Sequence, residues 1–386
     1  MKTWDVIIVG GGIIGMSLAI TLRKRGATVL VVDRGEPGRE ASYAAGGMLV
    51  DCPLETPPAL QRLATASAHM YPEFARELEI ESGRKVDLRD HGTILFWSGE
   101  QFKRLSVLEF QKISLSVLEL EEREPALKYG DFDNAQQLES FRQEFEGPPD
   151  REDVRDFCKS VFRAAIYVSE RSVDPRALAA AAATTAKARG VDCSSGDEAT
   201  TVEIEHGRAI GIKTVKTAFA ARTVVNCAGA WAGAIGPYAI PTRPVKGQML
   251  CLLMQPRSLL RHVIRTPDVY LVPRSDGRLL VGATVEEAGF DKRTDVRTIQ
   301  RLRRAALDLV PKLADAKILE DWAGLRPGTP DALPILGSTA TPNYYVATGH
   351  FRDGILLAPI TARVMADVIE GRLPEFDLHA FSPTRF

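Results

Sequence analysis

Val6-Ile7-Ile8-Val9-Gly10-Gly11-Gly12-Ile13-Ile14-Gly15 decides the architecture of this chain. Its first four residues form a continuous apolar, β-branched run, the pattern of a strand covered on both faces in a parallel sheet. Glycines follow at once in the order G-x-G-x-x-G, and Met16 to Arg25 then has helical apolar spacing (Met16, Ala19, Ile20, Leu22) with Arg23, Lys24 and Arg25 at its end. Cations in a last turn complement the negative end of the helix dipole. Gly26 suits the helix stop, and Val29-Leu30-Val31-Val32 reads as a second buried strand ending at Asp33. Gly10 permits the tight turn, Gly12 a close backbone approach, and Gly15 close packing of helix on sheet.

Strand, glycines, helix, strand and acid in this register predict a dinucleotide site. The helix start offers unpaired N–H groups and a positive dipole end to a pyrophosphate. Asp33 stands where a carboxylate accepts hydrogen bonds from an adenosine ribose, which favours FAD or NAD over NADP. The plainer alternative is a tight turn that binds nothing. After the second strand there is no third βα unit. Instead comes a small, Gly/Ala-rich run from Gly35 through Ala41-Ser42-Tyr43-Ala44-Ala45-Gly46-Gly47-Met48-Leu49. Such a segment lets backbone amides lie close to a flat, extended ligand, which points to FAD rather than NAD. Composition alone also fits a flexible linker, although Met48-Leu49-Val50 argues for packing.

With 386 residues the chain has material for two or three domain-sized units. Lys plus Arg is 49 against 50 Asp plus Glu, so no whole-molecule field draws it to nucleic acid or acidic lipid. No apolar run approaches the roughly 18–20 residues that span a bilayer. Cys52, Cys158, Cys193, Cys227 and Cys251 are scattered, without any C-x-x-C pair, and are expected to be small buried hydrophobes in a reducing cytosol. No signal peptide is evident. His91, His206 and His262 lack ligand spacing, and no metal site is expected.

Further along, helical patterning covers Ala59 to Ile80, Phe102 to Glu122, Pro175 to Ala188, Ile299 to Leu309 and Pro359 to Glu370. Strand patterning covers Lys85–Leu88, Thr93–Trp97, Thr223–Asn226, Gly247–Leu253, Tyr270–Pro273, Leu279–Gly282 and Asn343–Thr348, with a hairpin at Val202–Ile212. Glu146-Gly147-Pro148-Pro149-Asp150 is a candidate crossing between domains. The expected fold class is α/β: a Rossmann-type nucleotide-binding domain assembled from discontinuous segments, with an inserted α+β substrate domain carrying a mostly antiparallel sheet. Residues 1–85, 150–240 and 322–386 are assigned to the first, 86–149 and 241–321 to the second.

Taken together, six segments resemble the D-amino-acid-oxidase-like flavoproteins, and within them the glycine oxidase family of the thiamine-pathway type. They are Ile8–Gly15, Ser42–Leu49, Asn226–Trp231, Tyr270–Pro273 with Gly282-Ala283-Thr284, Trp322–Thr329 and Gly349-His350-Phe351-Arg352-Asp353-Gly354-Ile355-Leu356. They span nearly the whole chain, and the Trp322 and Gly349 motifs are the most specific. The resemblance implies FAD contacts from Gly10, Gly12, Ile13, Ile14, Gly15, Asp33, Arg34, Ala41, Ser42, Gly46, Gly47, Met48 and Thr201. It also implies that His350, Phe351, Arg352, Asp353, Gly354, Ile355 and Leu356 wrap the flavin ring. Arg326 matches an arginine that grips the substrate carboxylate, Tyr270 an assisting hydroxyl, and Arg352 and Met48 further substrate contacts. Read on their own, Arg326 and Arg352 also fit ion pairs, Arg352 with its neighbour Asp353, and Tyr270 also fits a strand core.

Physical chemistry agrees with those roles. A small amino acid has little apolar area, so its carboxylate must supply most of its binding, and a guanidinium fork gives charge-assisted bonds of roughly 1.5–3 kcal/mol each. The implied reaction is flavin oxidation of glycine or a small or N-substituted amino acid such as sarcosine. The flavin takes a hydride, a 2-oxo acid is released, and O2 reoxidises the flavin to H2O2, with no protein acid or base required. The Gly349–Leu356 loop has no Cys, so FAD is expected to be non-covalent. Gly46 stands where a family alanine is common, which predicts extra room near the ring, and Val285 where some relatives have Met. The partners expected are the amino-acid or amine substrate and O2, with no nucleic acid and no membrane, in a cytoplasmic homo-oligomer. The competing readings are a flavin D-amino-acid dehydrogenase that feeds a quinone, an NAD-dependent dehydrogenase, and a flavin-binding subunit without turnover of its own.

Overall fold

A computed structural model describes residues 2–98, 115, 117–127 and 163–386 of the chain. The expected crossing at Glu146–Asp150, Cys158 and most of the Phe102–Glu122 helix lie outside the described residues, which include a helix at Val117–Arg123.

Two sheets organise the molecule. In the first, the order is Ile335–Ser338, Tyr344–Thr348, Ala218–Asn226, Thr3–Val9, Val29–Asp33 and Asp192–Ser195. All neighbours pair in parallel except the antiparallel edge strand Ile335–Ser338. A hairpin, Ala199–Glu205 with Arg208–Thr214, joins antiparallel to the start of Ala218–Asn226. Strands from near both ends of the chain thus flank Ala218–Asn226 in the middle of the sheet, where Ile7, Ile8, Val224, Val225 and Val346 are all 0% exposed. The helices Ile13–Lys24, Pro175–Ala188 and Ala358–Ile369 and the inner face of Pro58–Ser82 bury their apolar faces in one cluster on this sheet.

The second sheet runs Lys317–Gly328, Arg243–Leu253, Arg278–Gly282, Tyr270–Pro273, Val263–Arg265, Thr93–Ser98 and Arg163–Val168. It is antiparallel apart from the pair Val263–Arg265 with Thr93–Ser98. Two stretches that the sequence assigned to the nucleotide-binding part, within 150–240 and 322–386, therefore contribute to strands here: Arg163–Val168, and Trp322–Gly328 of the strand Lys317–Gly328, whose first five residues fall in the expected substrate domain. Lys85–Leu88 forms no strand, its neighbourhood showing only an isolated bridge between Arg89 and Ser172.

Of the cysteines, Cys52, Cys227 and Cys251 are buried as expected, whereas Cys193 is exposed. It sits on Asp192–Ser195, an edge strand with one neighbour, where alternate residues face solvent. Among the described residues no helix is long and apolar enough to cross a membrane.

Candidate active site

The carboxyl ends of the parallel strands open into one cavity of about 760 Å³, walled by Val9, Asp33, Cys227 and Thr348 on one side and by the second sheet on the other. A crevice outside the strand ends, where the sheet's connections diverge, is the usual ligand position in open α/β sheets.

At one end the wall is backbone. Gly10 has φ +106°, a left-handed conformation, and a Cβ there would collide with the Cys227 carbonyl. Gly15 lies against the Gly10 carbonyl so closely that any side chain would separate helix from strand. The helix Ile13–Lys24 begins at Gly12 with no capping side chain of its own, and Gly12, Ile13 and Ile14 all face the cavity. Ser42 Oγ accepts from the Ile13 N–H at 2.9 Å. Asp33 Oδ2 accepts from Gly11 N–H at 2.7 Å and Oδ1 from Gly35 N–H at 2.8 Å, which fixes the carboxylate at the strand end with lone pairs left for a ribose. Beyond it the Arg34 guanidinium lies 3.8 Å over the Trp231 ring, which stacks on Phe290. A glycine-capped helix start, a glycine cradle and a fixed acid fit the pyrophosphate and ribose of FAD.

At the other end the wall is side chains. Arg326, on strand Lys317–Gly328, lies flat on Gly247, whose Cβ position would be 2.6 Å from the guanidinium carbon. Its Nη1 donates to the Thr284 carbonyl at 3.0 Å. Among the described residues Arg326 has no carboxylate within ion-pair distance, so the surface ion pair open to it in sequence does not form; nor does one between Arg352 and Asp353. Burial lowers the pKa of Arg326, while Tyr270 opposes that shift. The Tyr270 ring fills the space beside two glycines: a Cβ on Gly46 would meet its Cε2 at 3.1 Å, and one on Gly282 its hydroxyl at 2.7 Å. The room predicted at Gly46 is thus occupied by the tyrosine ring. Burial also raises the Tyr270 pKa, so the phenol keeps its proton, and its hydroxyl donates to Met249 Sδ at 3.5 Å. Met48, Met249, Ala283 and Val285 complete this end.

The loop after Thr348 closes the cavity between the two ends. His350, Phe351, Arg352, Asp353, Gly354 and Ile355 all line it, as do Ala41, Ser42, Gly46, Gly47 and Met48. His350 is 3% exposed, burial pushes its pKa down to about 3, and its Nε2 faces Thr361 Oγ1 at 3.1 Å. It is a neutral structural residue with no base to offer. Burial raises the Asp353 carboxyl to about 6, and the Arg352 charge opposes the rise.

Three residues expected at the cofactor lie outside the cavity wall. Gly15 acts by packing, as above. Leu356 is fully buried, its carbonyl accepting from Ser67 Oγ at 2.6 Å. Thr201 sits at a register shift in the hairpin strand, bridged to Gly236, while Ala199 and Thr200 face the cavity in its place. Sequence reading missed Gly247 and the reason for Gly282, although a glycine inside a strand does signal close approach by another group. It also missed Glu55 and Arg265, cavity residues joined by an ion pair at 2.8 Å, which carried no motif.

Comparison with known proteins agrees with this geometry. Residues 5–368 match the family described as "DAO: FAD dependent oxidoreductase". The glycine oxidase of Pseudomonas putida is 31% identical over 389 residues, covering 98% of both chains. The bifunctional protein ThiO/ThiG of Trichormus variabilis is 32% identical across the whole of this chain, which spans only 55% of that protein's length. The crystal structure of glycine oxidase from Geobacillus kaustophilus superposes with a TM-score of 0.87 at 30% identity, covering both chains completely. With a cradle fitted to the dinucleotide and a match along nearly its full length, the chain belongs to the DAO family of FAD-dependent oxidoreductases.

Proposed function

We propose that the protein oxidises glycine or a small N-substituted glycine such as sarcosine, and that O2 returns the flavin to its oxidised state with release of H2O2. The observation that carries this reading is Arg326: a cavity-facing guanidinium with no ion-pair partner among the described residues, beside a protonated Tyr270. Such a pair is a receptor for a single carboxylate. The two side chains touch one another in the cavity wall, where the apolar Met48, Met249 and Ala283 also stand, so a bound amino acid would meet a charged fork and apolar neighbours together.

Bound FAD supplies the hydride acceptor. The protein supplies orientation: Arg326 and Tyr270 fix the carboxylate, Gly247 and Gly282 let those side chains lie flat, and Arg352 adds positive charge at the mouth. The cavity's histidine, His350, is neutral and turned to Thr361, and this reading asks no protein base of it. The substrate amine therefore reacts in its neutral form, and its own ionisation sets the pH dependence.

The test is anaerobic mixing of the yellow holoenzyme with glycine, sarcosine and D-amino acids while flavin absorbance is followed, then the same mixtures in air with peroxide detection. Bleaching by glycine or sarcosine and stoichiometric H2O2 support the reading. Bleaching without peroxide in air would move it to a dehydrogenase, and no bleaching by any amino acid would refute it.

A further inference from the structure

Behind the cavity wall lies the largest fully buried side chain of the described residues, Arg274, which is 1% exposed. It directly follows strand Tyr270–Pro273, and strand alternation puts 270, 272 and 274 on one face. Tyr270 fills the space beside Gly46, while the Arg274 Nη2 donates to the Gly46 carbonyl at 2.6 Å. A Cβ on Gly47 would be 2.8 Å from that same Nη2, and the Gly47 carbonyl accepts from Val173 N–H at 2.8 Å. Both carbonyls of the glycine pair are thus held from behind, while the pair itself lines the cavity.

The rest of the guanidinium is unused. Nε and Nη1 are buried with no hydrogen-bond partner, and no carboxylate lies within ion-pair distance among the described residues. The two acids that bear on it are engaged elsewhere. Asp174 caps the helix Pro175–Ala188 and pairs with Arg278 at 2.5 Å, and Asp87 accepts from Ser275. Burial lowers the pKa of Arg274 to about 10, which leaves it charged at neutral pH. A buried, unpaired cation is costly. It acts favourably on any negative charge that develops on the other side of a thin backbone wall. Hydride transfer brings two electrons and one proton to a flavin, so the ring gains a net negative charge unless a second proton follows.

We propose that Arg274 is a positioning residue of the redox site: its Nη2 holds the Gly46 carbonyl, and so the glycine pair that would border the flavin, and its unpaired charge would favour the reduced, negatively charged flavin. The kinetic consequence rests on the amino-acid oxidation proposed above, but the charge effect does not. The decisive experiment uses the holoenzyme and two variants: Arg274→Met removes both fork and charge, and Arg274→Lys keeps the charge. FAD affinity is read by reconstitution of apoprotein, and midpoint potential by dye equilibration under chemical reduction, so no amino-acid substrate is needed. The expected result is an FAD dissociation constant about tenfold higher in both variants. The potential should fall in Arg274→Met and stay near wild type in Arg274→Lys. With substrate, kcat should drop more than KM rises. Unchanged potential in Arg274→Met, equal shifts in both variants, or loss of folded protein in both would assign Arg274 to packing alone and overturn the proposal.

Discussion

The two ends of the cavity are built by opposite means. The nucleotide end is mostly backbone, a glycine turn and a glycine-capped helix start, with the Asp33 and Ser42 side chains tied to it, all within the first 42 residues. The substrate end is side chains on strands far apart in the chain, Tyr270 and Arg326, seated on Gly247 and Gly282. A pyrophosphate is large, charged and always the same, so peptide N–H groups at a fixed spacing suffice. A small amino acid must be gripped at one carboxylate, and only a long cationic side chain reaches it. Damage at the first end should therefore remove the cofactor, and damage at the second should spare the cofactor and remove turnover.

The strongest test of that division is Gly10→Ala. It strains a φ of +106° and drives a methyl into the Cys227 carbonyl, so FAD affinity should fall at least about 100-fold, read by flavin fluorescence on titration. Gly247→Val should lift the Arg326 guanidinium off its seat. The expected outcome is a loss of about 100-fold in kcat/KM for glycine with FAD affinity within a few-fold of wild type, and a parallel loss of flavin would break the comparison. Tyr270→Phe removes one donor to the carboxylate, for which about tenfold in kcat/KM is expected, measured by stopped-flow flavin reduction.

A last effect, on stability and not on turnover, concerns the loop between the two ends. Asp353 has its carboxyl raised to about 6 by burial, above its unfolded value, so the folded state holds the proton more tightly. Its contribution is favourable at low pH and is lost as pH rises through about 6. Asp353→Asn should therefore match wild type below the ordinary carboxylate pKa and be more stable at pH 8 by up to about 3 kcal/mol, read as thermal melts of apoprotein.

The contrast also explains what the sequence could show. The first βαβ unit was legible because its signal is local: apolar period, glycine spacing and terminal acid lie in one short window, and the structure places each where the pattern said. The antiparallel character of the second sheet was legible from its hairpin at Ser275-Asp276-Gly277. Which sheet owned Lys317–Gly328 was not, because the strand's identity depends on an 11-pair register with Arg243–Leu253. The carboxylate-gripping role proposed for Arg326 was expected from family resemblance. The seat of its guanidinium against Gly247 exists only once two distant strands pair. Arg274 left no trace in the pattern, since an arginine after a strand ordinarily reads as a solvated turn residue.

One measurement bears on the division most directly: anaerobic stopped-flow reduction of Arg326→Ala by glycine, with bound flavin quantified in the same sample. The account expects a fully yellow protein whose flavin reduction by glycine is slowed at least about 100-fold. A variant that reduces at the wild-type rate, or one that has lost its flavin, would contradict it.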